Sequence, residues 1–191
     1  MEAILNLDRD IFFLINGRLT NAALDSIMPF ITDKANFYAV AALAVIIMLV
    51  NGKRRDLRAF ILLIVSVALA DYAAAFLKIV FLRIRPCFAL DGVRLLVGCG
   101  GSYSFPSGHA ANIFAAAVIL SIRAKRLWPF FIFIALGVSY SRVYVGVHYP
   151  LDVAGGAALG AAFALIFTLA DRAGIQALLG YLRKRHEDAG T

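Results

Sequence analysis

The chain is 191 residues long, 62% hydrophobic and only 16% charged, with a mean hydropathy of +0.82. A soluble domain carries about a quarter charged residues, so too little polar surface remains here to cover a water-soluble globule. The net charge of +7 comes largely from three short clusters, "NGKRRDLR" (51–58), "RAKR" (123–126) and "LRKRH" (182–186); no Arg/aromatic pattern that grips bases accompanies them, which argues against nucleic-acid binding.

In chain order, residues 1–34 hold scattered charges and no continuous apolar core, so no cleavable signal peptide is expected there. Residues 5–31 are amphipathic and interrupted by Asp8, Arg9, Asp10, Arg18 and Asp25. They read as a helix lying in the membrane interface rather than as a sixth span. Spanning helices are expected near 35–50, 58–80, 108–122, 127–146 and 151–171. The first and third fall short of the roughly 17 residues a span needs, so they should extend past those limits. The fold class that follows is all-α, a polytopic membrane helical bundle. It divides into an amino-terminal interfacial helix (1–34), a transmembrane bundle (35–175) and a basic tail (176–191).

With five spans the three basic clusters fall on one side of the membrane, which the distribution of Lys and Arg marks as the cytoplasm. Residues 1–34, 81–107 and 147–150 then lie outside. Both cysteines, Cys87 and Cys99, fall in one outer loop. An oxidising compartment would allow them to bridge; the alternative is two unpaired small apolar residues.

Ionisable groups beside membrane-embedded segments are costly and point to function. Three groups of them stand at the outer ends of the expected helices. "KIVFLRIRP" carries Lys78 and Arg85; "PSGH" carries Ser107, Gly108 and His109; "SRVYVGVHYPLD" carries Arg142, His148 and Asp152. Each has a plain explanation alone: Lys78 can snorkel to headgroups, Ser107 can cap a helix, and Asp152 suits a helix amino terminus. Those explanations leave the convergence of all three on one membrane face unaccounted for.

Lys78, Arg85 and Arg142 gather three cations where Asp152 alone is at hand to balance them. Such a cluster suits an anion, and Arg forks match phosphate oxygens. The Ser107-Gly108 turn opens a helix whose first N–H groups also favour an anion, and Gly108 lets the backbone come close to it. His148 and Asp152, four residues apart, share a face if the helix reaches back that far. A carboxylate on one ring nitrogen fixes the tautomer and leaves the other free to attack phosphorus. His109 can protonate the leaving oxygen and then activate water. The scheme needs neither metal nor other cofactor, and no carboxylate cluster suited to Mg²⁺ is evident.

These three stretches resemble the signature motifs of the type 2 phosphatidate phosphatase superfamily. The spacings fit: six residues between Lys78 and Arg85, five between Arg142 and His148, and three between His148 and Asp152. The resemblance implies a helical-bundle core and metal-independent hydrolysis of a membrane lipid phosphate or diphosphate. Lys78, Arg85, Ser107, Gly108 and Arg142 would bind phosphate, His109 would be the acid, His148 the nucleophile and Asp152 its partner. The family also contains soluble haloperoxidases holding vanadate, and five spans argue against that branch.

Within the family, short chains of this layout resemble undecaprenyl-diphosphate phosphatases, phosphatidylglycerophosphate phosphatases and lipid A 1-phosphatases, and the first is the leading reading. The site would face the periplasm or outside of an inner (cell) membrane. A non-catalytic lipid-phosphate binder or flippase is the rival of another class; binding alone would need the cations but not His109, His148 and Asp152. Elsewhere, Asp71 can orient a cation or bond a neighbouring helix, and Arg83 and Arg94 can meet a headgroup or be solvated. Gly156 and Gly160 are spaced for close helix packing, and His186 is expected to be inert.

Overall fold

A computed structural model of the chain describes residues 2–33, 35–36 and 54–189. Apart from 35 and 36, the expected first span lies outside the described residues. Seven α-helices order the rest: α1 Glu2–Phe13, α2 Ala22–Thr32, α3 Arg54–Phe81, α4 Pro86–Ala89, α5 Gly108–Arg123, α6 Trp128–Tyr144 and α7 Pro150–Ala189. Among the described residues there is no strand, only an isolated antiparallel bridge between Ile84 and Tyr103. The all-α expectation holds.

Three described segments are long and apolar enough to cross a membrane: Leu57–Phe81, Lys125–Tyr144 and Pro150–Gly174. α5 is apolar but has 16 residues, about 24 Å of helix at 1.5 Å per residue, short of the ~30 Å hydrocarbon layer. α7 continues beyond Gly174 to Ala189 without a break.

The side chains are sorted as lipid-facing helices require. Large apolar residues point outward, including Ile61, Ile64, Tyr72 and Phe76 on α3, Phe130 and Phe133 on α6, and Ile166 and Leu169 on α7. Small ones point inward: Ala70 and Ala74 of α3 pack on Ala111 and Ala115 of α5, with Leu159 and Phe163 of α7 closing the cluster. Where lipid is as apolar as Leu, small residues let backbones approach closely and gain van der Waals contact. The α5–α7 seam is the tightest instance. A Cβ at Gly156 would lie 2.2 Å from the Ser107 carbonyl oxygen, and one at Gly160 would lie 1.9 Å from that of Ala111. The packing role expected for both glycines is the one they play.

The amino-terminal segment is not one interfacial helix over 5–31 but two short helices. A π-helical turn, Leu14–Arg18, ends the first, and Asn21 caps the second by accepting the Leu24 N–H at 2.9 Å. The break has a use. Buried Asn16 donates to the carbonyls of Arg94 (2.8 Å) and Tyr144 (2.7 Å) and accepts from the Arg94 N–H (2.9 Å). The segment thereby ties the loop after α4 to the turn after α6. Gly146 makes that turn at φ +88°, with Arg94 and Val93 too close for any Cβ.

Candidate active site

The expected site residues come from three places. Lys78 lies in the last turn of α3, and Arg85 just beyond it. Ser107, Gly108 and His109 open α5, and Arg142 ends α6. His148 lies between α6 and α7, with Asp152 in the first turn of α7. The amino termini of α5 and α7 are joined directly, because the Ser107 N–H donates to the Asp152 carbonyl at 2.8 Å.

Ser107 is the N-cap of α5, its buried hydroxyl accepting from the Ala110 N–H at 3.5 Å. First-turn N–H groups otherwise have no partner within a helix. A methyl at Gly108 would meet only Asp71 Oδ1, at an ordinary 3.5 Å. Crowding therefore does not explain that glycine. His109 follows, half-buried, in the same turn.

Lys78 and Arg85 are held by backbone carbonyls and Arg142 by a hydroxyl, rather than by acids. Lys78 Nζ donates to the carbonyls of Ser104 (3.1 Å) and Pro106 (2.6 Å), anchoring the loop that leads into α5. Arg85 is buried; its Nε donates to the Gly101 carbonyl, and its Nη1 to the Val147 carbonyl at 3.0 Å. The same Nη1 stands 3.1 Å from His148 Nε2. Arg142, also buried, donates from Nη1 to the Thr32 hydroxyl of α2, while its buried Nε has no hydrogen-bond partner among the described residues. An unsatisfied guanidinium N–H beside two further cations favours an anionic ligand.

His148 is 2% exposed and Asp152 fully buried. Nδ1 of the imidazole stands 3.4 Å from Asp152 Oδ2, close enough for attraction but long for a formed hydrogen bond. Arg85 on Nε2 and a carboxylate facing Nδ1 together favour the tautomer with the proton on Nδ1 and the lone pair on Nε2. Burial pushes the His148 pKa down to about 4; Asp152 pulls the other way, and Arg85 and Arg142 add to the depression. The folded state thus binds this proton less readily than the unfolded chain. Stability is fully present above the unfolded value near 6.5 and is lost as pH falls from there towards 4. The thermal midpoint in detergent should drop across that window, and His148→Asn should flatten the drop.

Asp152 is fixed by two other groups. Its Oδ2 accepts the Tyr149 N–H at 2.8 Å, the acid half of a capping box for α7. Its Oδ1 accepts from Arg83 Nη1 at 2.7 Å, and Arg83 Nη2 reaches Asp8 of α1 at 2.5 Å. Arg83 and Arg94, expected to meet a headgroup or solvent, are both ion-paired, Arg94 with Asp25 at 2.7 Å. Asp71 accepts from Asn112 at 2.7 Å, a bond between α3 and α5.

Asp8, Thr32 and Asn16 are what reading the motifs missed. Asp8 left one usable signal: it lies four residues before Phe12, so the two share a face of α1, and both are buried.

The sequence of residues 59–174 matches the model of the PAP2 superfamily. The chain is 33% identical over 160 residues to an undecaprenyl-diphosphatase of Sulfolobus acidocaldarius, covering 83% of this chain and 76% of that one. It is equally 33% identical over 170 residues to a lipid A 4'-phosphatase of Porphyromonas gingivalis, covering 84% and 71%. The fold superposes on the crystal structure of a transmembrane PAP2-type phosphatidylglycerolphosphate phosphatase from Bacillus subtilis. That TM-score is 0.71 at 28% identity, over 90% of this chain and 88% of that one. The membrane-crossing helices, the joined ends of α5 and α7 and these relatives give one answer: the chain belongs to the PAP2 superfamily and is an integral membrane lipid phosphatase of that type.

Proposed function

We propose that the enzyme removes the terminal phosphate of a long-chain prenyl diphosphate, undecaprenyl diphosphate foremost, at the outer leaflet of the cell membrane. The observation that carries the chemistry is the meeting of Arg85 Nη1 with His148 Nε2 at 3.1 Å, above a buried carboxylate on the other side of the ring. A phosphoryl group bound by Arg85 is thereby brought to the attacking nitrogen. Arg142 Nε, Lys78 and the first turn of α5 supply further positive charge around it.

In the first step Arg85 turns its N–H from Nε2 to the phosphoryl oxygens, and the freed Nε2 lone pair attacks the terminal phosphorus. The bond to the bridging oxygen breaks, and His109 gives its proton to the departing lipid monophosphate. Asp152 stabilises the imidazolium charge that develops on His148, and the 3.4 Å contact tightens as it forms. In the second step water attacks the phosphohistidine and passes a proton to His109. The P–N bond breaks, its electrons return to Nε2, and inorganic phosphate leaves. Because attack needs the neutral ring, the depressed pKa of His148 keeps the nucleophile available. The acid limb that it contributes to kcat/KM should lie near pH 4 rather than 6.5.

Two features support the outward orientation. α5 starts at the site and ends at Arg123, which puts Lys125 and Arg126 at the far end of the bundle. The loop bearing Arg85 carries a Cys87–Cys99 disulfide, with Cα atoms 6.4 Å apart, a bond typical of oxidising compartments.

The test is phosphate release in EDTA from a detergent-solubilised panel of prenyl diphosphate, phosphatidylglycerophosphate and lipid A. The prenyl diphosphate should show the highest kcat/KM, by about tenfold or more, with no loss in chelator. Faster turnover of either other lipid would replace the substrate assignment, and loss of activity in EDTA would overturn the metal-free mechanism.

A further inference from the structure

We infer that Asp8 and Arg83 are positioning residues for the catalytic pair, so that the amino-terminal helix sets the aim of His148. The inference rests on His148 and Asp152 acting as proposed above. Arg83 lies between two acids from distant parts of the chain. Its Nη1 donates to Asp152 Oδ1 at 2.7 Å and its Nη2 to Asp8 Oδ2 at 2.5 Å. The guanidinium carbon sits 4.0 Å above the centre of the Tyr149 ring, which keeps the fork in plane. Asp8 itself is 2% exposed, and its Oδ1 accepts the Leu151 N–H at 2.8 Å. That N–H is one of the first-turn donors α7 cannot satisfy internally.

The consequence lies in how the fork is shared. An Arg next to a lone carboxylate takes both oxygens in a bidentate grip. Here Asp8 claims one arm, so Arg83 holds only Oδ1 of Asp152, and Oδ2 stays turned towards His148 Nδ1. Without Asp8 the second arm is released to compete for Oδ2. The imidazole then loses the partner that fixes its tautomer and stabilises its developing charge. Asp8 also holds the start of α7, on which Asp152 is mounted. A buried acid is costly unless it is paired, and this one is paired entirely with the apparatus behind the nucleophile.

Both arms of Arg83 and both oxygens of Asp8 are committed to these partners, so their loss should alter turnover and not substrate affinity. The test uses the full chain in detergent and a lipid phosphate or diphosphate that the wild type hydrolyses, with kcat, KM and thermal midpoint recorded together. Asp8→Asn keeps the shape and the acceptor for Leu151 but removes the charge that holds the arm. It should lower kcat about tenfold with KM within twofold of wild type. Arg83→Met should lower kcat about 100-fold, and Arg83→Lys should recover part of that loss. In an Asp152→Asn background Asp8→Asn should cost less than twofold more, because no carboxylate remains to be aimed.

Wild-type kcat in Asp8→Asn, or a rise in KM alone, would overturn the inference. So would a further tenfold loss in the Asp152→Asn background. Should Asp8→Asn fail to fold, the Met-to-Lys series at position 83 decides, and no recovery by Lys counts against the inference. His148→Ala run alongside separates the two readings: if it is inactive while Asp8→Asn is normal, only the positioning role is lost.

Discussion

Replacing His148 by alanine should abolish phosphate release, lowering kcat by about 10⁴- to 10⁶-fold, the scale seen when a covalent nucleophile is removed. Substrate binding should survive, because Arg85, Arg142 and Lys78 remain. The buried ring leaves a cavity, but it also removes a group that folding keeps neutral at a cost in acid, so the protein should still fold near neutral pH. Phosphate release by the purified variant, with lipid binding measured in parallel, checks both halves. Activity within tenfold of wild type would reject His148 as the attacking group.

Gly160→Ala should destabilise the protein by about 3 kcal/mol or more, at the upper end of what overpacking costs. The added methyl would lie 1.9 Å from the Ala111 carbonyl oxygen and 2.8 Å from its carbon. These are backbone atoms of a packed helix with no rotamer to change, so α5 and α7 must part. Parting them strains the Ser107–Asp152 backbone bond a little over two turns away, and activity should fall with stability. Gly174→Ala on the same helix is the control. Nothing lies within 4 Å of a Cβ there, and the better helix propensity of Ala should leave the thermal midpoint equal or higher. Equal midpoints for Gly160→Ala and wild type would show that α5 and α7 can part there without cost.

The two glycines could be read from the sequence because close helix contact imposes a spacing of four. The motif residues could be read for a similar reason: Lys78, Arg85, Arg142, His148 and Asp152 are ionisable groups at the ends of apolar runs, where burial without purpose is expensive. Three of the five expected spans followed from apolar length, although α5 proved short, α7 ran on past its apolar part and the first lies outside the described residues. Asp8, Thr32 and Asn16 are different. Each is a small polar residue in an amphipathic stretch where polar residues are ordinary, and each matters through a partner far along the chain, at Arg83, Arg142 and Tyr144 respectively. No local period records a contact of that range. The ion pairs of Arg83 and Arg94 are invisible for the same reason, since their acids, Asp8 and Asp25, lie in another segment.

The most direct test of a covalent route through His148 is the stereochemistry of hydrolysis at a terminal phosphorus made chiral with oxygen isotopes. Two in-line displacements, first by the imidazole and then by water, predict retention of configuration in the released phosphate. Inversion would mean that water attacks the lipid directly, and the phosphohistidine mechanism would fall.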